Sequence, residues 1–483
     1  MNQSWHRYLI DNRHSFRLSW VTREPRADPL GEVMNIIIVT PGHPGVRLKS
    51  YPPALTAPYL AALATPYADQ IKICDLAVER MKLFEPIPNI ALLTTTMPQS
   101  DHMFEIARRL KVCGVTVLMG GPHVTLSYEL DPRIKELADS VVLGEGEKAL
   151  PRALQDYREG RLQPLYSMPV DSLEGIPFSR LDLLDRNKYY YSTVIIGTRG
   201  CIHKCAYCVI SNMYGQKYLK RPVDELIEEI KFQTSRPNVR WSDRKLVQFW
   251  DDNPACDLDW FHDLMRKMIP LKKWWLSQMC LNVADNVETV KLMKASGCKG
   301  ILVGLESASE ETLRAQRKDT VNVVSRYEEQ AKVLLKHGIN FMGTFMYGFD
   351  QDTKESLFVD TPKIAEGMGM SLLHTHIVAP YPHSNYYATL SKENRLITKE
   401  AKYYNGYTVV HRPRNIHPAD LQEGFIETRK QFYSWRSIFK RMMKHKLSKM
   451  PEFLIWNFLL LRPNHKVVPG VRMEEWLRYL KTL

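Results

Sequence analysis

STVIIGTRGCIHKCAYC, residues 192–208, is an apolar run that ends in glycine and leads at once into three cysteines, Cys201, Cys205 and Cys208. The spacing is cysteine, three residues, cysteine, two residues, cysteine, and no fourth cysteine lies nearby. Structural zinc takes four protein ligands, commonly as two separated pairs, so the fourth ligand is missing. Catalytic zinc can use three ligands. Three thiolates within eight residues nevertheless form a soft, electron-rich corner better suited to iron and sulfide. A four-iron four-sulfur cluster held by three cysteines leaves one iron free to bind a substrate or cofactor.

Outward from this stretch toward the C-terminus, the apolar run STVIIG is the first of six. KLVQFWD, KWWLSQMC, KGILVGLE, INFMGTFMYG and MSLLHTHIV follow, with helical stretches such as VDELIEEIKFQT and NVETVKLMKAS between them. Repeated strand–helix units predict a barrel or partial barrel whose active site lies at the carboxyl ends of its strands. Toward the N-terminus, residues 159–190 are rich in proline and charge and have no sustained periodicity, which marks a linker. Before it, NIIIVT, QIKIC, IALLTTT, VTVLMGG and SVVLGEG alternate with helical segments, the rhythm of a parallel sheet. The turns LTTTMPQ, GGPHVT and GEGEK each follow a strand at its carboxyl end, where such sheets place ligands. The expected division is therefore an N-terminal extension over 1–32, a Rossmann-like sheet domain over 33–158, the linker, a barrel over 191–390, and a basic, mainly helical region over 391–483.

Composition sets limits on function. The chain carries 66 Lys and Arg against 53 Asp and Glu, a net charge of +13, which attracts either nucleic acid or an anionic membrane surface without choosing between them. The first twenty residues lack the apolar run of a secretory signal, and the longest apolar stretch, FLIWNFLLL at 453–461, is shorter than the ~18–20 residues that span a bilayer. A cytoplasmic protein is expected, with peripheral contact at the inner membrane face as the further expectation. The eight cysteines, in a long chain without a signal, do not read as a disulfide scaffold. Cys74, Cys113, Cys256, Cys280 and Cys298 read as ordinary buried residues.

The cysteine motif resembles that of the radical S-adenosylmethionine (SAM) enzymes, which carry this spacing on the loop after the first barrel strand. The resemblance implies a [4Fe–4S] cluster on Cys201, Cys205 and Cys208 whose open iron chelates SAM, an external electron donor such as flavodoxin or ferredoxin, and a 5′-deoxyadenosyl radical that abstracts hydrogen from unactivated C–H bonds. It further implies SAM contacts from Tyr207, from Asp251 and Asp252 in FWDDN, from Glu306 and Ser307 in GLESASEETL, and from Arg314 or Lys318 to the SAM carboxylate. Gly348, in GTFMYGFDQDTKES, is expected to leave room for the adenine, and APYPHSNYY at 379–387 departs from the family's PYPGT at His383 and Ser384. A helix cap would equally explain the Asp pair, and an ion pair with a neighbouring lysine would explain Glu306.

Joined to such a barrel, the first domain resembles the cobalamin-binding domain of class B radical SAM proteins, through YPPALTAPYLAAL, GGPHVTL and LGEGEKALPRAL. Candidate cobalamin contacts are Thr94, Thr95, Gly120, Gly121, His123, Gly144 and Gly146, and the Asp-x-His-x-x-Gly motif of other B12 proteins is absent. The tail NIHPADLQEGFIETRKQFYSWRSIFKRM resembles that of a subset which includes hopanoid methylases and archaeal lipid cyclisation enzymes. Together these resemblances imply cobalamin-dependent methylation of an unactivated carbon in a small-molecule or lipid-like substrate, with no nucleic acid partner. Radical cyclisation or oxidation without methyl transfer is the alternative. A non-catalytic iron–sulfur or corrinoid sensor is a competitor of another class, although it would need neither an open iron nor an adenine pocket.

Overall fold

The computed structural model of the chain describes residues 33–42, 52–81, 86–214, 217–237, 239–460 and 471–483. The expected N-terminal extension, Tyr51 and the end of FLIWNFLLL lie outside these residues. Two six-stranded parallel sheets organise the fold.

The first contains β1 (Asn35–Thr40), β2 (Gln70–Asp75), β3 (Ile90–Thr94), β4 (Thr116–Gly120), β5 (Ser140–Leu143) and β6 (Leu165–Ser167), in the order β2-β1-β3-β4-β5-β6. The run NIIIVT forms a central strand because both its faces are apolar. Ile36 and Ile38 pack with Ala57 and Ala61 of helix 56–64 and Leu150 and Leu154 of helix 146–158, whereas Ile37 and Val39 pack with Met103 and Phe104 of helix 100–112. Strand order reverses between β1 and β3, which is where an open parallel sheet presents its ligand crevice. The three-residue β6 falls inside the stretch read as a linker. A strand of that length is too short to show an alternating pattern.

The second sheet runs in chain order through β7 (Val194–Ile195), β10 (Leu246–Phe249), β11 (Trp274–Met279), β12 (Cys298–Glu306), β13 (Asn340–Tyr347) and β14 (Leu372–Ile377). β7 and β14 are its two edges, so it is a partial barrel. Its outward residues, among them Val247, Trp275, Val303 and Phe345, are buried with the surrounding helices 223–235, 258–268 and 327–336. Inward residues on the same strands remain partly exposed, including Gln278, Leu302, Met342, Thr344 and His374. The inside of the barrel is thus an open cavity. A short antiparallel hairpin, β8 (Thr198–Gly200) with β9 (Tyr218–Lys220), projects from the first barrel strand.

Helices 418–432, 435–442, 450–460 and 473–480 complete the chain. Arg441 in the second of them is fully buried and donates to the carbonyls of Met370, Ser371 and Phe432, tying the basic tail to the start of β14. Among the described residues no helix is long and apolar enough to cross a membrane.

Candidate active site

The cysteine loop leaves β8 at the carboxyl end of the barrel and is clamped at its root by the two carboxylates that follow β10. Asp251 accepts from the Gly197 amide at 3.0 Å, the Thr198 amide and the Thr198 hydroxyl at 2.7 Å, and Asp252 accepts from the Gly200 amide at 2.9 Å. Asp251 follows the outward parity of Val247 and Phe249 and is fully buried beneath the loop. Burial pushes its carboxyl up to about 7 and that of Asp252 up to about 6. Further along, the loop is held by backbone bonds from Ala206 N to Gln316 O (3.0 Å) and from Tyr386 N to Ala206 O (3.2 Å). The second of these joins it to the sixth-strand ending, where Ser384 caps helix 385–392 and His383 takes a positive φ of 67°.

Cys205 is buried, Cys201 and Cys208 are partly exposed, and all three are free thiols. The Cys201 thiol is lowered to about 6, chiefly by a hydrogen bond from Cys256, while burial pushes Cys208 up to about 12. One ligand atom from each of Cys201, His203 and Cys256 lies within 4.8 Å of the others. Lys318 is 6% exposed, with Nζ 3.7 Å from Cys280 Sγ, and its charge also acts on Cys201, Cys205 and Glu306. Cys256 and Cys280 therefore sit at the site, although they read from sequence as ordinary buried cysteines. Their sequence signal is positional, since each closely follows the carboxyl end of a barrel strand.

Glu306 ends β12 where the register with β13 breaks, at a φ of 68°. Burial pushes its carboxyl up, against Lys318 and a hydrogen bond from Tyr207. The Tyr207 ring lies 5.6 Å from that of Phe349, and its hydroxyl also reaches Cys205. Ser307 is buried and accepts from the Ser309 amide at 3.0 Å. Of the two cations expected near the SAM carboxylate, Lys318 is in the site, whereas Arg314 is exposed on helix 310–315. At Gly348, φ is 108° and a Cβ would meet Leu421 at 2.9 Å, so the space beside it is filled by helix 418–432 and the glycine serves the turn.

The first sheet meets the loop through a buried ion triad. Arg199, two residues before Cys201, pairs with Glu145 at 2.9 Å and with Glu147, both from GEGEK, and Tyr59 donates to Glu147 at 2.9 Å. Trp250 adds a bond from Nε1 to the Pro53 carbonyl at 3.3 Å. Thr94 and Thr95 are buried at the end of β3, and a Cβ at Gly121, whose φ is 89°, would strike the Thr94 hydroxyl, so the β3 and β4 turns pack against each other. Gly144 accepts no such constraint: its amide donates to Thr125 at 3.0 Å, and nothing lies within 4 Å of the Cβ it lacks. Gly146 begins helix 146–158 over Leu60. His123 is 2% exposed, edge-on to Phe104 and 3.6 Å from Asp131, with neither ring nitrogen hydrogen-bonded.

Comparison with known proteins agrees with this arrangement. Residues 195–358 match the profile of the Radical SAM superfamily. A bacteriochlorophyllide d C-12(1)-methyltransferase of Chlorobaculum tepidum is 26% identical over 391 residues, covering 79% of this chain and 82% of its own. The radical SAM methyltransferase TsrM of Kitasatospora setae, solved with cobalamin and a [4Fe–4S] cluster, superposes with a TM-score of 0.60 at 13% identity over 93% of this chain and 99% of its own. The cobalamin-dependent SAM radical enzyme OxsB, solved with aqua-cobalamin, gives 0.62 at 15% identity over 93% of this chain and 76% of its own. Residues 195–358 therefore form a radical SAM domain. The fold of the chain is that of these solved structures, a Rossmann-like domain ahead of a partial barrel.

Proposed function

We propose that this protein is a cobalamin-dependent radical SAM methyltransferase that alkylates an unactivated carbon of a small molecule. One observation carries the reading: the three-cysteine loop stands between the open mouth of the barrel and the carboxyl edge of the first sheet, tied to that edge by Glu145, Arg199 and Glu147. The donor set fits a [4Fe–4S] cluster, because three free soft thiols share one loop and the buried Lys318 offsets their negative charge. Cys201, Cys205 and Cys208 would hold the cluster. Tyr207, Asp252, Glu306, Ser307 and Lys318 border the space for SAM, and Asp251 positions the loop from below. Thr94, Thr95, Gly120, Gly121, Gly144 and Gly146 form the edge on which a corrin would lie. His123 is enclosed against Asp131 and Phe104, so in this reading it supports the turn and does not ligate cobalt.

Bound at these places, a reduced cluster would supply one electron to the sulfonium of SAM, and methylcobalamin would supply the methyl group. This chain's residues orient the two cofactors toward one cavity and enclose Cys205 from bulk water. An external one-electron donor of the flavodoxin or ferredoxin type completes the proposal. Peripheral membrane contact is supported by Trp435, Phe439 and Met443, which are 72%, 60% and 59% exposed at four-residue intervals beside Arg436, Lys440 and Lys444.

Anaerobically reconstituted protein should hold one [4Fe–4S] centre, form 5′-deoxyadenosine, and retain hydroxocobalamin through gel filtration with a corrin spectrum. Cys205→Ala should lose 5′-deoxyadenosine formation, and its persistence would refute the cluster assignment. Absence of retained corrin would favour radical cyclisation or oxidation without methyl transfer. Mass spectrometry of lipids and small metabolites from cells with and without the gene would then identify the methylated product.

A further inference from the structure

One corner of the barrel gathers two imidazoles, a phenol and a guanidinium with unpartnered nitrogens. On β14, His374 and His376 both face the cavity with ring centroids 4.0 Å apart, and His374 Nε2 lies 3.0 Å from the Tyr407 hydroxyl. His376 is partly exposed to the cavity and makes no hydrogen bond among the described residues. Arg429, from helix 418–432, reaches the same corner at the open edge of the sheet, its guanidinium 5.5 Å from the Tyr407 ring and 5.8 Å from Phe425. Its Nε and Nη1 are buried and have no acceptor, and no carboxylate pairs with it among the described residues. Burial and the Arg429 charge both depress the imidazoles, His376 to about 4, so both rings are neutral near pH 7. The corner therefore holds one cation, two buried donors without acceptors and two neutral rings.

Buried guanidinium N–H groups without acceptors are costly, and a carboxylate is the planar anion that a guanidinium pairs with through two N–H groups at once. A single cation in a desolvated corner is balanced by a monoanion, whereas a phosphate dianion would leave charge uncompensated. The adjoining wall is apolar, formed by Leu276, Leu302, Met342 and Met346, and methionine adapts to irregular shapes. Met346 pairs in register with His376 and packs in the apolar cluster that includes Tyr207, so the corner stands close to the cysteine loop.

We infer that Arg429, with His374, His376 and Tyr407 around it, anchors the carboxylate of an otherwise apolar substrate whose body lies along the barrel wall toward Tyr207. This rests on the reading that the barrel takes the substrate of the radical chemistry.

Fluorescence titration of the full-length protein with 1-pyrenebutanoate and with its methyl ester tests it. The acid should bind at least tenfold tighter than the ester. Arg429→Met should erase that preference while leaving ester affinity unchanged, and Arg429→Lys should keep part of it. Failure to bind either probe, equal binding of the two, or a preference retained in Arg429→Met would overturn the anchor. Should that variant not fold, competition on the wild-type protein decides: dodecanoate should displace the pyrene acid, and displacement by dodecan-1-ol to the same extent would sink the idea. 5′-Deoxyadenosine and methyl transfer are read separately. Their absence with the acid preference intact would overturn the methyltransferase reading alone.

Discussion

Lys318 shows how much a single side chain can do in this site. It is a buried cation facing Cys280, Glu306 and two cluster ligands, Cys201 and Cys205, which become thiolates on binding iron. Removing a positive charge beside a redox centre makes electron uptake harder. Lys318→Met should still bind iron, with a midpoint potential more negative by some tens of millivolts, because about 1 kcal/mol corresponds to roughly 40 mV for one electron. Redox titration followed by electron paramagnetic resonance would read it, and an unchanged or higher potential would contradict the role. Tyr207 and Glu306 belong to the same scale. Residue identity at 207 and 306 was legible from motif resemblance, but the hydrogen bond between them was not, since they are 99 positions apart in the chain.

At the scale of an element, the segment after β13 depends on one enclosed carboxyl. Asp352 is fully buried, accepts from the Gly348 and Phe349 amides at 2.9 Å each, and accepts from the Thr312 hydroxyl at 3.0 Å. Burial outweighs these donors and pushes its carboxyl up to about 7. Because its folded value exceeds its unfolded one, the folded protein binds more protons between about pH 4 and pH 7, and stability falls as pH rises through that window. Asp352→Asn keeps the backbone acceptor and can donate to Thr312. It should flatten the pH profile of the thermal midpoint and narrow the difference between pH 5 and pH 8 by on the order of 2 kcal/mol. A variant profile parallel to the wild type would show that Asp352 does not titrate there. Sequence exposed the strand and its glycine turn; the carboxyl's protonation depends on enclosure by neighbours from other elements.

At the scale of the whole molecule, Arg199 joins the two sheets. Burial pushes Glu147 up, but Arg199 outweighs it and holds the carboxyl below its usual range. Arg199→Gln would leave Glu145 and Glu147 enclosed without their cation, a loss of about 3–5 kcal/mol for a broken buried pair. Hydrogen–deuterium exchange should rise in helix 56–64 and at 145–147, and unchanged protection there would mean that the two units are held by other contacts. The exposed Trp435, Phe439 and Met443 make a separate claim about the outer surface. Each nearby basic residue contributes about 1 kcal/mol at an anionic bilayer, an attraction that salt weakens. Lys440 and Lys444 are partly engaged by Glu366 and the Gly367 carbonyl, which reduces that attraction. Co-sedimentation with anionic vesicles at low salt should therefore be modest and should fall when the three apolar residues become serine; vesicle binding unaffected by those changes would dismiss this surface.

What sequence alone determined about this protein is local and periodic. Apolar runs of strand length, helical spacing between them and three cysteines after the sixth run were enough for two parallel sheets and a cluster loop, because side-chain alternation and motif spacing lie within a few residues of one another. Tertiary structure alone decided which polar groups meet. It turned Asp251 outward beneath the loop, brought Lys318 into the site and left Arg314 on the surface. It also added Cys256 and Cys280 at the mouth of the barrel and placed Arg429 beside His374 and His376. Burial, orphaned donors and shifted protonation arise from groups that are distant in the chain but close in space.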